Sequence, residues 1–414
     1  GTQASRCSHQ GQERLRHEIS TLSTLLRLEL CITWLLLARA SDATSRLPSL
    51  SPSSLGQEPR TMAMALAAVR SGSLSGVQFL DADARRLLPA QLAEFLARLG
   101  VSQDDVSRAP TLQTLSLLQA AFVDRVPYEN ISLHCEGPMT PSRAPELSAP
   151  SSVRRICDQR RGGYCFILVD AFASLLCTLG YGVSLHVGGC GEDPLPEEKW
   201  GNHVVLLVHG VEGRTFIADV GLGDGPAKPF ELRAQQWEER GYSYALEARA
   251  GDEWRFTHDR TCSFAGFSVS LSSSCSGAHE FLSYHRFLWS DPTSHFRTSG
   301  IVVQRQSSTH GVIELRNATV RIVHPRCSGG RHVLAVAASK AEWLSLLREH
   351  FFLTLDDLLP TQIENVWQVA RVQHLEWMAA MEHKKQRRRF IVLAIGAVFG
   401  LVALRHWVGS LRRR

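Results

Sequence analysis

The sequence predicts an α+β protein, and three observations carry that assignment. Helical periodicity fills the segment before Gly180, short β-rich runs follow it, and helical patterning returns only near the end. Helices and strands are therefore segregated along the chain rather than alternated as βαβ units. No repeat of 20–50 residues is visible in the 414-residue chain. Hydrophobic residues make up 44% and charged residues 21%, which supplies a core and excludes a largely disordered or collagenous chain.

Each element has its own signal. Leu88, Leu92, Phe95, Leu96 and Leu99 recur at helical spacing, and Gly100 can end that helix. A second helix is expected over 111–125, with Leu112, Leu115, Leu118 and Phe122 on one face and Pro127 beyond its end. Residues 158–163 read as a polar, glycine-containing loop. Residues 164–179 are apolar on nearly every side, the mark of a buried central helix. Strands are expected over 183–187, 204–208, 215–220, 242–248, 254–258, 301–306, 311–316 and 319–323. Helix is expected again over 341–352 and 362–381.

The ends of the chain differ from its body. The net charge is +5, yet residues 382–414 hold nine Lys or Arg against Glu382 alone, so residues 1–381 carry −3. A basic body that binds nucleic acid is therefore excluded. In the tail, the cluster 384–389 precedes fifteen uninterrupted apolar or Gly residues, 390–404, and Arg405 and Arg412 to Arg414 follow. Fifteen helical residues reach only about 22 Å, but snorkelling of Arg405 extends the segment to residue 411, enough to span a bilayer. A membrane anchor over 390–411 is expected, against a buried helix or an amphipathic surface helix. Residues 1–76, with a Ser/Pro-rich stretch at 49–54, read as a disordered extension rather than a targeting or folded segment.

The ten cysteines show no C-x-x-C spacing, so neither a zinc site nor a thioredoxin-like motif is expected, and no metal. One of them stands out. Cys165 opens the central helix after Arg160-Arg161-Gly162-Gly163-Tyr164, where first-turn N–H groups and the positive helix end stabilise a thiolate. Cys157, Cys177 and Cys190 have no comparable setting and read as small buried residues. A nucleophilic cysteine needs a base and an orienter. Two runs, 203–208 and 215–220, flank a short polar loop. A hairpin centred on Val211 places His203 directly opposite Asp219, close enough for the carboxylate to hold the imidazole. A one-residue slip would separate them to opposite faces.

These residues resemble the arylamine N-acetyltransferase family. The resemblance rests on Arg161-Gly162-Gly163-x-Cys165, His203 in the first strand and Asp219 in Asp-Val-Gly-Leu-Gly. Val126-Pro127-Tyr128-Glu129-Asn130-Ile131, Pro226, Pro229 and Asp291-Pro292-Thr293-Ser294-His295-Phe296 agree in order, over about 79–355. It implies a helical bundle over 77–181, a β-barrel-like domain over 182–290 and an α/β lid over 291–360, as in papain-like cysteine enzymes. A helical linker over 361–389 would lead to the tail. By the same resemblance, which points to a eukaryotic, possibly fungal-type member, Cys165 takes an acetyl group from acetyl-CoA, or another acyl group such as malonyl or propionyl. His203 is the base, Asp219 the orienter, and Thr293 a cofactor contact. The acceptor implied is an arylamine or hydrazine; the scattered cysteines and the tail, which lies outside the family's pattern, instead lead to the expectation of a cytoplasmic catalytic unit tethered to an intracellular membrane. Ile167 and Val169 replace residues that are usually polar, and Leu222 replaces a Phe, without removing a triad group. The same three groups also serve a papain- or transglutaminase-like thiol hydrolase, and a degenerate scaffold would serve a membrane-tethered binding protein.

Overall fold

The computed structural model describes residues 77–106, 109–137 and 144–411. The extension expected over 1–76 lies outside them. Four helices come first: α1 (Pro89–Leu99), α2 (Leu112–Arg125), α3 (Ala149–Cys157) and α4 (Cys165–Thr178). Gly100 closes α1 in the left-handed region, and the Thr111 side chain caps α2 through the Thr114 N–H at 3.1 Å. In α4 every residue from Cys165 to Cys177 is buried, as its all-round apolar sequence predicts. Beside it, α3 was not legible, being nine residues with Pro150 and two serines in its first turn.

An antiparallel sheet of eight strands follows: β2 (Gly182–Cys190), β3 (His203–Val211), β4 (Arg214–Ile217), β5 (Phe230–Glu231), β6 (Gln235–Glu239), β7 (Tyr242–Ala248), β8 (Glu253–Thr257) and β9 (Gly266–Cys275). Their order is β5-β4-β3-β2-β9-β8-β7-β6. The two edges, β5 and β6, are successive in the chain, and Gln235 Nε2 donates to the Glu231 carbonyl at 2.6 Å. The sheet therefore curls round on itself. Its inner face carries Val205, Leu207, Phe256, Phe267 and Val269.

The second sheet has the order β1-β10-β11-β12-β13, from β1 (Tyr128–Glu129), β10 (Val302–Ser307), β11 (Gly311–Arg316), β12 (Thr319–Val323) and β13 (Arg331–Val336). β1 comes from far upstream and carries the Tyr128-Glu129 pair onto β10. Between the sheets lie α5 (Leu282–Ser290) and the single turn α6 (His295–Thr298); α7 (Lys340–Phe351) covers the second sheet with Trp343, Leu347 and Phe351.

α8 (Pro360–Leu411) is one continuous helix that joins the expected linker to the tail. Its start is pinned by buried Val366, Trp367 and Ala370, whereas Leu375, Met378, Phe390, Val392 and Phe399 are exposed. Among the described residues no helix is long and apolar enough to cross a membrane. The helical tail expected over 390–411 is therefore present, but a bilayer span is not borne out.

The β3–β4 hairpin corrects a second expectation. Leu207 pairs with Ile217 and Val208 with Phe216, so His203 lies opposite Gly221 by register, not opposite Asp219. Two features cause the shift. Glu212 and Gly213, both with positive φ, form a two-residue turn, and the ladder is irregular between Val208 and Val211. A shift of two residues preserves the side-chain faces, so Asp219 becomes the diagonal neighbour of His203.

Candidate active site

Cys165, the expected nucleophile, is held by the segment that precedes its helix. Gly163 N–H donates to the Pro127 carbonyl at 3.3 Å, and Glu129 N–H donates to the Gly163 carbonyl at 2.8 Å. That approach is so close that a Cβ at Gly162 would lie 1.8 Å from the Pro127 oxygen. Glycine is required there. Beneath this crossing, the buried Glu129 carboxylate receives Arg155 Nη2 at 2.7 Å and Arg161 Nη2 at 3.1 Å. Arg161 also pairs with Asp357, and Arg155 Nε donates to the Gly162 carbonyl at 2.6 Å. Burial pushes the Glu129 carboxyl up, but Arg161 and Arg155 outweigh it and hold it below its usual range.

Tyr164, which precedes the nucleophile, is locked from the opposite side. Its hydroxyl hydrogen-bonds His285 Nδ1 at 2.5 Å and accepts from Trp289 Nε1 at 2.7 Å. His285 Nε2 reaches the Pro145 carbonyl at 2.9 Å. Both His285 and Trp289 come from α5, a helix the sequence reading did not find because its aromatic run lacks a clear stripe.

The structure brings Cys165, His203 and Asp219 together. Cys165 is the first residue of α4, His203 the first of β3, and Asp219 lies two residues past β4. His203 Nε2 bonds Asp219 Oδ2 at 2.6 Å, and Asp219 Oδ1 accepts the Gly221 N–H at 2.7 Å. The carboxylate thus fixes the ring through one nitrogen and leaves Nδ1 for sulfur. The Cys165 thiol lies 3.8 Å from the Asn202 carbonyl. Gly221 runs directly past the nucleophile, where a Cβ would lie 2.8 Å from that of Cys165.

Burial alone would favour a neutral His203. The Cys190 and Asp219 charges and the hydrogen bond that the ring makes to Asp219 reverse this, so its pKa stands well above the ordinary value. Burial also pushes the Cys190 thiol up, so Asp219 is the charge that acts near neutral pH. The site favours an imidazolium beside sulfur, the arrangement that makes a thiolate nucleophile.

Two residues were missed. Cys190 is not an isolated buried thiol: it is half-buried and lies on the same face of the β2–β3 pairing as His203. Asn202 clips it in place, accepting the Cys190 N–H at 2.7 Å and donating to its carbonyl at 3.1 Å. The available signal was Gly188-Gly189-Cys190 at the end of β2, which becomes informative only once β2 is paired with β3. Thr293 is exposed, and its N–H and Oγ1 both bind Asp291 Oδ1, at 2.8 and 2.6 Å. These bonds are local to the loop and do not join the triad. Ile167 and Val169 are buried in the core.

Among the described residues, Asp224, His258 and Cys262 are a buried group whose donor atoms lie within 4.8 Å of one another. His258 Nε2 and Cys262 Sγ both meet the Asp224 carbonyl, at 3.0 and 3.7 Å, and Ser263 N–H donates to Asp224 Oδ2 at 2.7 Å. This hydrogen bonding anchors the glycine loop that follows Asp219.

A family model described as N-acetyltransferase matches residues 111–359. The chain is 27% identical over 137 residues to the liver isozyme of arylamine N-acetyltransferase from Gallus gallus, covering 33% of this chain and 44% of that protein. It is 27% identical over 180 residues to the arylamine N-acetyltransferase of Mycolicibacterium smegmatis, covering 40% and 62%. The matched segments thus span less than two thirds of these relatives. Among solved structures, the Mycobacterium marinum arylamine N-acetyltransferase in complex with CoA aligns with a TM-score of 0.57 at 22% identity, over 67% of this chain and 99% of that one. The Salmonella typhimurium enzyme aligns at 0.56 and 22%, over 68% and 99%. At that identity the likeness concerns the fold.

Proposed function

Because the chain belongs to the arylamine N-acetyltransferase family, we propose that it moves an acyl group from acyl-CoA through a Cys165 thioester to an aromatic amine. The observation that carries this reading is the buried Cys165–His203–Asp219 arrangement at the start of α4. Cys165 thiolate attacks the thioester carbonyl; its C–S bond forms as the CoA thiolate leaves and takes the His203 proton. The amine nitrogen then attacks the acyl-cysteine, His203 receives the amine proton, and Cys165 is released. The positive end of α4 at Cys165 stabilises the oxygen that becomes negative in each step. Acetyl is the proposed donor group, with malonyl and propionyl as variants, and a hydrazine is the alternative acceptor.

Family membership favours transfer over the thiol-hydrolase reading. The proposal extends to Thr293 as a cofactor contact and to the division into helical bundle, barrel-like domain and lid, as in papain-like enzymes. A eukaryotic, possibly fungal-type member is the assignment of subtype. The eight described cysteines are all free, which suits an intracellular catalytic unit. The basic, apolar-faced end of α8 is proposed to hold that unit at an anionic membrane. Initial rates with acetyl-CoA and an arylamine should give the parallel double-reciprocal lines of a ping-pong route. Amide or peptide cleavage without CoA release would overturn the reading. Full-length protein should sediment with anionic vesicles, and a supernatant location would remove the membrane element.

A further inference from the structure

We propose that Cys165 and Cys190 form a redox modification site, in which peroxide converts the nucleophile and its neighbour into an intramolecular disulfide.

The β2–β3 ladder pairs Gly188 with His203, and directly opposed residues share a face of the sheet. Cys190, two residues beyond Gly188 on β2, therefore faces the same side as His203. The partner of Cys190 on β9 is Phe267, and the Phe267 and His203 rings lie 5.5 Å apart, which fixes that face independently. Nothing projects from Gly188 between them, where a Cβ would come within 2.9 Å of Val205. Asn202 ties the two cysteines together: its side chain holds the Cys190 backbone, and its carbonyl lies 3.8 Å from Cys165 Sγ. Cys190 is half-buried and Cys165 is 6% exposed, so a small oxidant can reach the pair.

The chemistry balances with hydrogen peroxide as oxidant. Cys165 thiolate attacks one peroxide oxygen; the S–O bond forms, the O–O bond breaks, and hydroxide leaves to become water. Cys190 then attacks the Cys165 sulfur as its thiol proton passes to the departing oxygen. The S–S bond forms, the S–O bond breaks, and a second water leaves. Two thiols are oxidised by two electrons, and one peroxide is reduced to two waters. The disulfide removes the nucleophile, and a thiol reductant returns it. Cys190 also diverts Cys165 sulfenic acid from irreversible oxidation.

The test treats the full-length protein with limiting hydrogen peroxide and maps its peptides without reduction. A linked peptide containing Cys165 and Cys190, two hydrogens lighter and released by dithiothreitol, is expected. In Cys190→Ser the same treatment should instead leave sulfenic acid on Cys165, which a second equivalent of peroxide carries to sulfinic acid. Recovery from wild-type protein of oxygenated Cys165 with Cys190 still alkylatable, or of Cys165 joined to another cysteine, would overturn the proposal. This readout counts thiols, so it stands or falls separately from acyl transfer.

Discussion

α4 and α8 are both helices, yet they do opposite things with their side chains. All but the last of the 14 residues of α4 are buried, and its first residue is fixed from three directions by the Gly162 crossing, Tyr164 and Gly221. α8 runs for 52 residues, and among its described side chains the buried ones fall in its opening turns. The difference teaches that over-determined position, not helical structure as such, is what fits Cys165 for its proposed role. A helix that few contacts constrain can tether or steer but cannot set a nucleophile.

The largest effects should therefore fall at the start of α4. Cys165→Ala or His203→Ala should lower acyl transfer by on the order of 10⁶-fold, as for removal of an essential triad member. Retention of a tenth of wild-type turnover in either variant would break the contrast.

Asp219→Asn should cost about 10⁴-fold in kcat, because the ring loses its orienting charge. The sign of its pH effect is also fixed. A raised His203 pKa keeps the ring protonated through neutral pH, and the imidazolium is lost as pH rises through that value. Removing the Asp219 charge lowers the His203 pKa, so the alkaline limb of the kcat/KM profile should move to lower pH. An unmoved limb would show that Asp219 does not hold the proton.

Arg161→Met leaves the Glu129 carboxylate with Arg155 as its remaining guanidinium partner. Breaking a buried pair in this way costs about 3–5 kcal/mol, read as a fall in the urea midpoint. An unchanged midpoint would mean the network contributes little. Trp289→Phe removes the donor to Tyr164 together with part of a buried ring and should cost about 1–3 kcal/mol in the same measurement. A loss as large as that of Arg161→Met would reverse their ranking. At the far end of the scale, deletion of residues 386–414 should leave kcat/KM unchanged while abolishing vesicle binding. A fall in kcat/KM would show that the tail takes part in the chemistry.

The sequence made the strongest periodicities legible. α1, α2, α4, β3, β11 and β12 match their expected positions because their apolar spacing is regular. β9 (GFSVSLSSSC) was hidden because serines occupy much of its length, and β1 because two residues carry no periodicity. At the site, a cysteine on a helix start and an acid sixteen residues after a histidine were readable from chemistry and spacing. The two-residue register shift was not, since the hairpin irregularity depends on local backbone geometry rather than on side-chain pattern. The placement of Cys190 on the same face as His203 was hidden for a related reason. Its partner is defined by pairing between strands, which a linear scan for cysteine motifs does not register.

The central claim is that position makes Cys165 the acyl carrier. Its most direct test is mass spectrometry of the full-length protein after incubation with acetyl-CoA. The account predicts one acetyl group on Cys165, discharged by an aromatic amine and absent in Cys165→Ala. Absence of acylation by acetyl-CoA, malonyl-CoA and propionyl-CoA alike, or stable acylation at another residue with Cys165 unmodified, would contradict it.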